Sequence, residues 1–215
     1  MPLLALEAAL GPASAAVLED GRTVALERDE TGAARLAQLA AAVLSAAGLA
    51  GNDLEAVAAV VGPGSFTGIR SGLALAAGIG LAASVPVIGV TVGEAVAALL
   101  PDPAPRALWV AIDTRRGRIF LERAGEAASF DLAALPTPAG PVLVAGDAAA
   151  PVVERLALAG RDARLAEVLT GEAAGVGLAA YARLAGKLAP RAALPLYVDA
   201  PAAVLPGNLR RPPGT

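Results

Sequence analysis

Short apolar runs separated by turn residues make up most of the first hundred positions. Residues 3–7 and 14–19 have strand-like length, and Asp20-Gly21 ahead of 23–28 is a two-residue hairpin signal. The spacing then becomes helical: Leu36, Leu39, Val43 and Leu44 fall on one face, with Gly48 placed as a stop. Residues 56–61 predict an apolar strand that runs into a glycine-rich loop, after which 69–83 is helical. Residues 86–90 predict a further strand. A helix over 91–100 follows, with Thr91 as N-cap and Glu94 as its capping-box partner.

A proline-rich linker is expected at 101–105. Beyond it, 107–112 and 118–122 predict paired strands around the turn Asp113-Thr114-Arg115-Arg116-Gly117. Another strand is predicted at 142–145, with helices near 151–159 and 171–189. This order predicts an α/β protein of two similar lobes, 1–100 and 106–198, with an extended and partly disordered tail over 199–215. No charge occurs from Ser71 to Gly93, a span long enough for a bilayer. Pro86 divides it and several glycines dilute it, so a buried helix and a buried strand are expected there, not a membrane span. The start carries no basic leader and has Glu7 close behind, so no signal peptide is expected.

Composition removes whole classes of chemistry. The 215 residues include no Cys and no His, which excludes thiolate nucleophiles, zinc–thiolate sites, imidazole bases and a Ser-His-Asp triad. Lys187 is the only lysine, so no phosphate-loop lysine sits in a glycine-rich turn. A net charge of −3 argues against strong binding of nucleic acid by this chain alone. Aromatic residues make up only 3%, so helices must pack through small aliphatic side chains.

The loop Gly62-Pro63-Gly64-Ser65-Phe66-Thr67-Gly68, with Arg70 just beyond, is the densest signal. Its glycines permit unusual dihedrals, and Ser65 and Thr67 put hydroxyls at a helix start where an anion is stabilised. Nucleotide contact and a purely structural strand-to-helix turn both fit. The helix that follows carries Gly68, Gly72, Ala76 and Gly80 four apart, a ridge nearly free of side chains. It suits close packing either in the core or at a subunit interface.

Gly62 to Arg70 with Ser71-Gly72-Leu73-Ala74 closely resembles the central motif of the bacterial TsaB (YeaZ) family. Val110-Ala111-Ile112-Asp113-Thr114-Arg115-Arg116-Gly117, Val144-Ala145-Gly146-Asp147-Ala148 and Pro195-Leu196-Tyr197 are similar to later family motifs, in family order. The resemblance implies an actin-like, Hsp70-like ATPase (ribonuclease H-like) fold of two lobes with mixed sheets and flanking helices. It also implies a cytoplasmic, noncatalytic activator subunit of the complex that transfers a threonylcarbamoyl group to the tRNA adenosine beside the anticodon. The partners implied are a catalytic TsaD homologue and a TsaE-like ATPase, with tRNA met only through the complex; a homodimer of the lone chain is left open. No cofactor, metal or catalytic residue is assigned to this chain, and ATP or ADP is expected, if anywhere, at the assembled complex. First-lobe helices form the family's heterodimer, so the expected interface is Leu36, Leu39, Ala40, Val43, Gly72, Leu73, Ala76 and Gly80. On that expectation, Ala76→Trp abolishes assembly; if Ala76 faces the chain's own core, it unfolds the monomer.

The chain departs from the family at Leu4-Ala5-Leu6-Glu7-Ala8-Ala9, where members usually carry Leu-Ala-Ile-Asp-Thr-Ser. Ala33 or Ala34 also stands where a histidine is common. Both losses weaken any claim of autonomous nucleotide hydrolysis. The competing reading is a free-standing, small-molecule kinase-like enzyme of the same superfamily, with Glu7, Asp113 and Asp147 as base and magnesium ligands. An acyl enzyme using Ser65 would need the distant Lys187 as its base.

Overall fold

Two five-stranded sheets are built on one plan, and the plan follows from where the strands can hide. A computed structural model of the protein describes residues 1–100 and 106–199; the expected linker at 101–105 and the tail from 200 onward lie outside the described residues. The first sheet comprises β1 (Pro2–Glu7), β2 (Ala13–Glu19), β3 (Arg22–Asp29), β4 (Ala56–Gly62) and β5 (Val87–Thr91). The second comprises β6 (Ala107–Asp113), β7 (Ile119–Arg123), β8 (Glu126–Phe130), β9 (Val142–Ala145) and β10 (Ala163–Leu165). Their orders are β3-β2-β1-β4-β5 and β8-β7-β6-β9-β10. In both, the first three strands pair antiparallel and the last two parallel. These two similar lobes of mixed sheet with flanking helices make the actin-like fold.

The helices are α1 (Leu36–Ala46), α2 (Phe66–Ala83), α3 (Val92–Leu99), α4 (Ala149–Leu158) and α5 (Ala173–Leu184). Strands β1 and β4 are buried on both faces, which explains their continuous apolar runs. The hairpin between β2 and β3 turns on Asp20 and Gly21, both at positive φ, as the two-residue turn requires. Thr91 and Glu94 form the expected capping box of α3.

Three departures from the sequence reading matter. Strands β8 and β10 were not expected; β8 is alanine-rich and β10 is three residues long, so neither carries a strand pattern. Helix α2 begins at Phe66, because the Ser65 hydroxyl accepts the Gly68 N–H at 3.1 Å and caps the helix there. Helix α5, assigned from sequence to the second lobe, packs on β1 and β2 of the first sheet and on α3. Ser14 Oγ anchors its start by accepting the buried Ala173 N–H at 2.9 Å. Gly171 and Gly175 leave room only for the residues around Ala95, so α5 and the turn before it pack closely on α3 through small residues.

The ridge on α2 points inward. Ala76 is fully buried, a methyl on Gly72 would touch Leu36, and Gly80 lies against Val87. Leu36, Leu39, Ala40 and Val43 of α1 and Leu73 of α2 are likewise buried in the chain's own core. The eight residues expected at a partner interface are therefore monomer core. They face inward because α1 and α2 must cover the apolar first sheet. Nor is α2 buried all round: it is apolar and long enough to cross a membrane by composition, with mean hydropathy 1.4, yet only 33% of it is buried. Its outer face leaves Ala74, Ala77, Gly78, Leu81 and Ala82 exposed, and Leu81 is 84% exposed. Beside it, α1 exposes Ala37, Gln38, Ala41, Ala42, Ser45 and Ala46.

A buried carboxyl joins the lobes. Glu122 on β7 accepts the Thr91 hydroxyl and, at 2.7 Å, the Gly93 N–H at the start of α3. Burial pushes its pKa up to about 7, against the lowering effect of those two donors. At the same end of α3, Arg183 of α5 donates to Glu94 at 2.5 Å and to the Gly89 carbonyl at 2.7 Å.

Two predictions follow from this packing. A methyl at Gly68 would run into the Ala8 carbonyl, so Gly68→Ala should destabilise the fold by ~1–3 kcal/mol despite alanine's better helix propensity. The same change at exposed Gly78, where nothing lies within 4 Å, should stabilise by up to ~1 kcal/mol; urea midpoints check both signs. Glu122 holds its proton more tightly folded than unfolded, so its contribution is lost as pH rises from 4.5 to about 7. Glu122→Gln should flatten the stability–pH profile in that window by up to ~1.4 kcal/mol per pH unit.

Candidate functional site

A cleft of about 830 Å³ opens where strand ends of both lobes meet. The first lobe contributes Ala9, Leu10 and Gly11, after β1, and Gly64, Ser65, Phe66, Thr67 and Ile69. The second contributes the turn from Asp113 to Arg116, together with Arg118, Phe120 and Asp147. The chain's C-terminal segment completes it. Leu196 N–H donates to the Val61 carbonyl at 2.8 Å, which brings Tyr197 to the cleft's edge.

The glycine-rich loop is first of all a tight internal joint. Ser65 N–H donates to the Ala9 carbonyl at 2.8 Å, and a methyl on Gly64 would strike the Ala9 backbone. Gly62 and Gly64 take positive φ of 115° and 153°, which other residues rarely adopt. Gly62, Pro63 and Gly68 are buried, while Ser65, Phe66, Thr67 and Arg70 are exposed. Two amide groups a phosphate could have used, those of Ser65 and Gly68, are thus already satisfied internally.

The Arg70 guanidinium lies 3.8 Å over the centre of the Phe66 ring. It also donates to the Tyr197 hydroxyl at 3.1 and 2.9 Å. Loop, helix and C-terminal segment therefore meet in one stacked cluster. The sequence pointed to Phe66 and Arg70; Tyr197 was known only as part of a motif, because 127 positions separate it from Arg70.

The carboxylates that a kinase-like enzyme would need are otherwise engaged. Glu7 is buried and accepts the Ala9 and Leu10 N–H groups at 2.8 and 3.1 Å. Burial nevertheless pushes its pKa up to about 8, so it is mostly protonated at neutral pH. Asp147 accepts the Asp113 N–H at 2.8 Å and meets Arg115 at 3.3 Å; Asp113 accepts the Arg115 N–H at 2.7 Å. Among the described residues, no three carboxylates, histidines or cysteines gather as a metal site. Among the described residues Ser65 has no basic partner: its oxygen caps α2, and Lys187 lies exposed beyond α5 without a hydrogen bond to it. Glu122 was missed in the sequence, although its alternation with Phe120 on β7 places a carboxyl on an inward face.

Comparison with known proteins agrees with this architecture. The family model for TsaD, tRNA N6-adenosine threonylcarbamoyltransferase, matches residues 30–189. The chain is 35% identical over 126 residues to the tRNA threonylcarbamoyladenosine biosynthesis protein TsaB of Escherichia coli, covering 56% of this chain and 53% of that one. It is 34% identical over 203 residues to the tRNA N6-adenosine threonylcarbamoyltransferase of Caulobacter vibrioides, covering 75% of this chain and 55% of that one. The chain thus spans about half the length of these curated relatives. The solved structure of YeaZ from Pseudomonas aeruginosa superposes with a TM-score of 0.69 at 25% identity, covering 91% of this chain and 99% of that one. With the glycine-rich joint, the duplicated lobes and these matches together, the chain belongs to the TsaB/YeaZ group of the TsaD family.

Proposed function

We propose that this protein is a noncatalytic activator subunit, acting in tRNA threonylcarbamoyladenosine biosynthesis by binding a catalytic TsaD homologue. In this reading the transfer to the tRNA adenosine takes place on that partner, with a TsaE-like ATPase in the same cytoplasmic assembly. Any ATP or ADP used is turned over there and not by this chain alone. The observation that carries the reading is the outer face of α1 and α2, made mostly of alanine with Leu81, yet uncovered among the described residues. Leu81 stands 84% exposed on it. Such faces let helices from a second protein approach at ~8–10 Å, which suits a partner of the same fold presenting a similar pair. The internal position of Ala76 and its neighbours moves the interface one face outward from where sequence alone placed it. A second copy of this chain could use the same face when no partner is present.

The enzyme reading, a small-molecule kinase of the superfamily, loses support at each residue it needs. Glu7 is a buried neutral acid, Asp113 and Asp147 are tied to Arg115 and to backbone, and the chain has no histidine.

Leu81→Asp should leave the circular dichroism unchanged and weaken binding of the TsaD homologue by tenfold or more, since a buried leucine contributes ~2 kcal/mol. Ala76→Trp should instead unfold the monomer, because Ala76 has no exposed surface. Pull-down with parallel spectra separates the two; a folded Leu81→Asp that binds at full strength would overturn the interface. Purified chain should also turn over ATP far below ~1 per second, the low end of ordinary enzymes.

A further inference from the structure

The last residue of β7 is an arginine, Arg123, on the side of the second sheet that turns away from the cleft. Ile112 and Phe120 line the cleft, so by strand alternation Ile119, Leu121 and Arg123 point to the opposite face, where Val152 and Leu156 of α4 pack. There the Arg123 guanidinium lies 5.6 Å from the centre of the Trp109 ring and 5.5 Å from that of Phe130. Both rings are themselves fixed. Trp109 is 5% exposed and stands in register with Arg123, and Phe130 packs against the same core cluster. Ala124 and Gly125, both at positive φ, make the tight turn that follows and set the backbone of Arg123. Two rings thus give the guanidinium one position without using any of its N–H donors.

Those donors meet no acceptor among the described residues. Nε is buried and has no hydrogen-bond partner. Glu126 stands opposite Arg123 in the hairpin register, yet it is exposed and makes no ion pair with it. Other arginines of this lobe are provided for. Arg155 of α4 donates to the Ala133 carbonyl at 3.0 Å, and Arg106 takes both oxygens of Asp162 at 2.9 and 2.8 Å. A buried donor without an acceptor costs stability, so packing alone does not account for an arginine here. A single fixed positive charge between apolar rings suits a flat anion of one negative charge, which is a carboxylate. A phosphate dianion would bring a second charge, and no second cation bonds to this cluster.

We infer that the Trp109–Arg123–Phe130 cluster is a binding site for a carboxylate, which the Arg123 guanidinium holds while the rings flank its organic part. The site lies wholly on this chain, away from the cleft, and does not depend on the complex proposed above. The same carboxylate chemistry could come from a small organic acid or from an acidic side chain of a polypeptide.

Trp109 is the only tryptophan of the chain, so its fluorescence reports this site directly. The test titrates the full chain, at neutral pH and constant ionic strength, with benzoate and with a short capped peptide rich in glutamate. Benzamide and inorganic phosphate are the controls. Benzoate, the peptide or both should change the Trp109 emission saturably, with benzamide and phosphate weaker by about tenfold or more. A response to benzoate alone would identify a small acid as the source, a response to the peptide alone a polypeptide. Arg123→Gln, and independently Arg123→Met, should weaken binding by about tenfold or more, while Arg22→Gln, an equal loss of charge on exposed β3, should leave it unchanged. Arg123→Met should also keep the urea midpoint of the parent, because it removes an unpaired buried donor and keeps an apolar stem between the rings. No saturable change with either carboxylate, phosphate binding as tightly as the carboxylates, or full binding in folded Arg123→Gln or Arg123→Met would overturn the assignment.

Discussion

The backbone of Ala8 and Ala9 lies so close to Gly64 and Gly68 that neither glycine can take a methyl group without displacement. The rest of the first lobe is arranged around that contact. It fixes the end of β1 against the start of α2, sets the cap at Ser65 and turns the ridge Gly68, Gly72, Ala76 and Gly80 toward the sheet. Once the ridge is spent on the core, the opposite side of α2 has to face outward. A helix apolar on every side therefore ends with one apolar face uncovered. The same joint aims Phe66 and Arg70 away from the core and into reach of Tyr197.

A second constraint is the scarcity of large side chains. Where other proteins fill space with rings, this one brings backbones together, Gly146 against Ala111 and Gly175 against Ala95, and seats the Leu18 side chain on Gly177. The few buried charged groups then act as fixed points. Glu122 holds the second sheet to the start of α3, and Arg183 ties α5 to β5 and to Glu94. Both fixed points converge on α3, the helix that lies between the sheets.

Much of this was legible in the sequence, for physical reasons that can be named. The hairpin at Asp20-Gly21 and the capping box at Thr91 and Glu94 are local, so local residues specify them. The strands β1 and β4 are buried on both faces and show unbroken apolar runs. What was not legible depends on partners distant in the chain. The pattern of α2 shows a narrow ridge and apolar flanks but cannot say which of them meets the sheet. The position of α5 on the first lobe is set by Ser14 and Ala95, far from it in sequence. The pairing of Arg70 with Tyr197 and the role of Glu122 likewise exist only once the lobes have folded. For the candidate site, sequence supplied the loop, while the structure supplied the C-terminal side of the cluster and the neutralised carboxyls.

The central claim is that the uncovered faces of α1 and α2 are where this protein meets its partner. Amide hydrogen exchange of the intact chain, with and without the TsaD homologue, addresses it without any substitution. Added protection concentrated in Leu36–Ala46 and Phe66–Ala83, with the second sheet unchanged, is the predicted result. Protection confined to β8, α4 or β10, with α1 and α2 exchanging as in the free chain, would contradict the account.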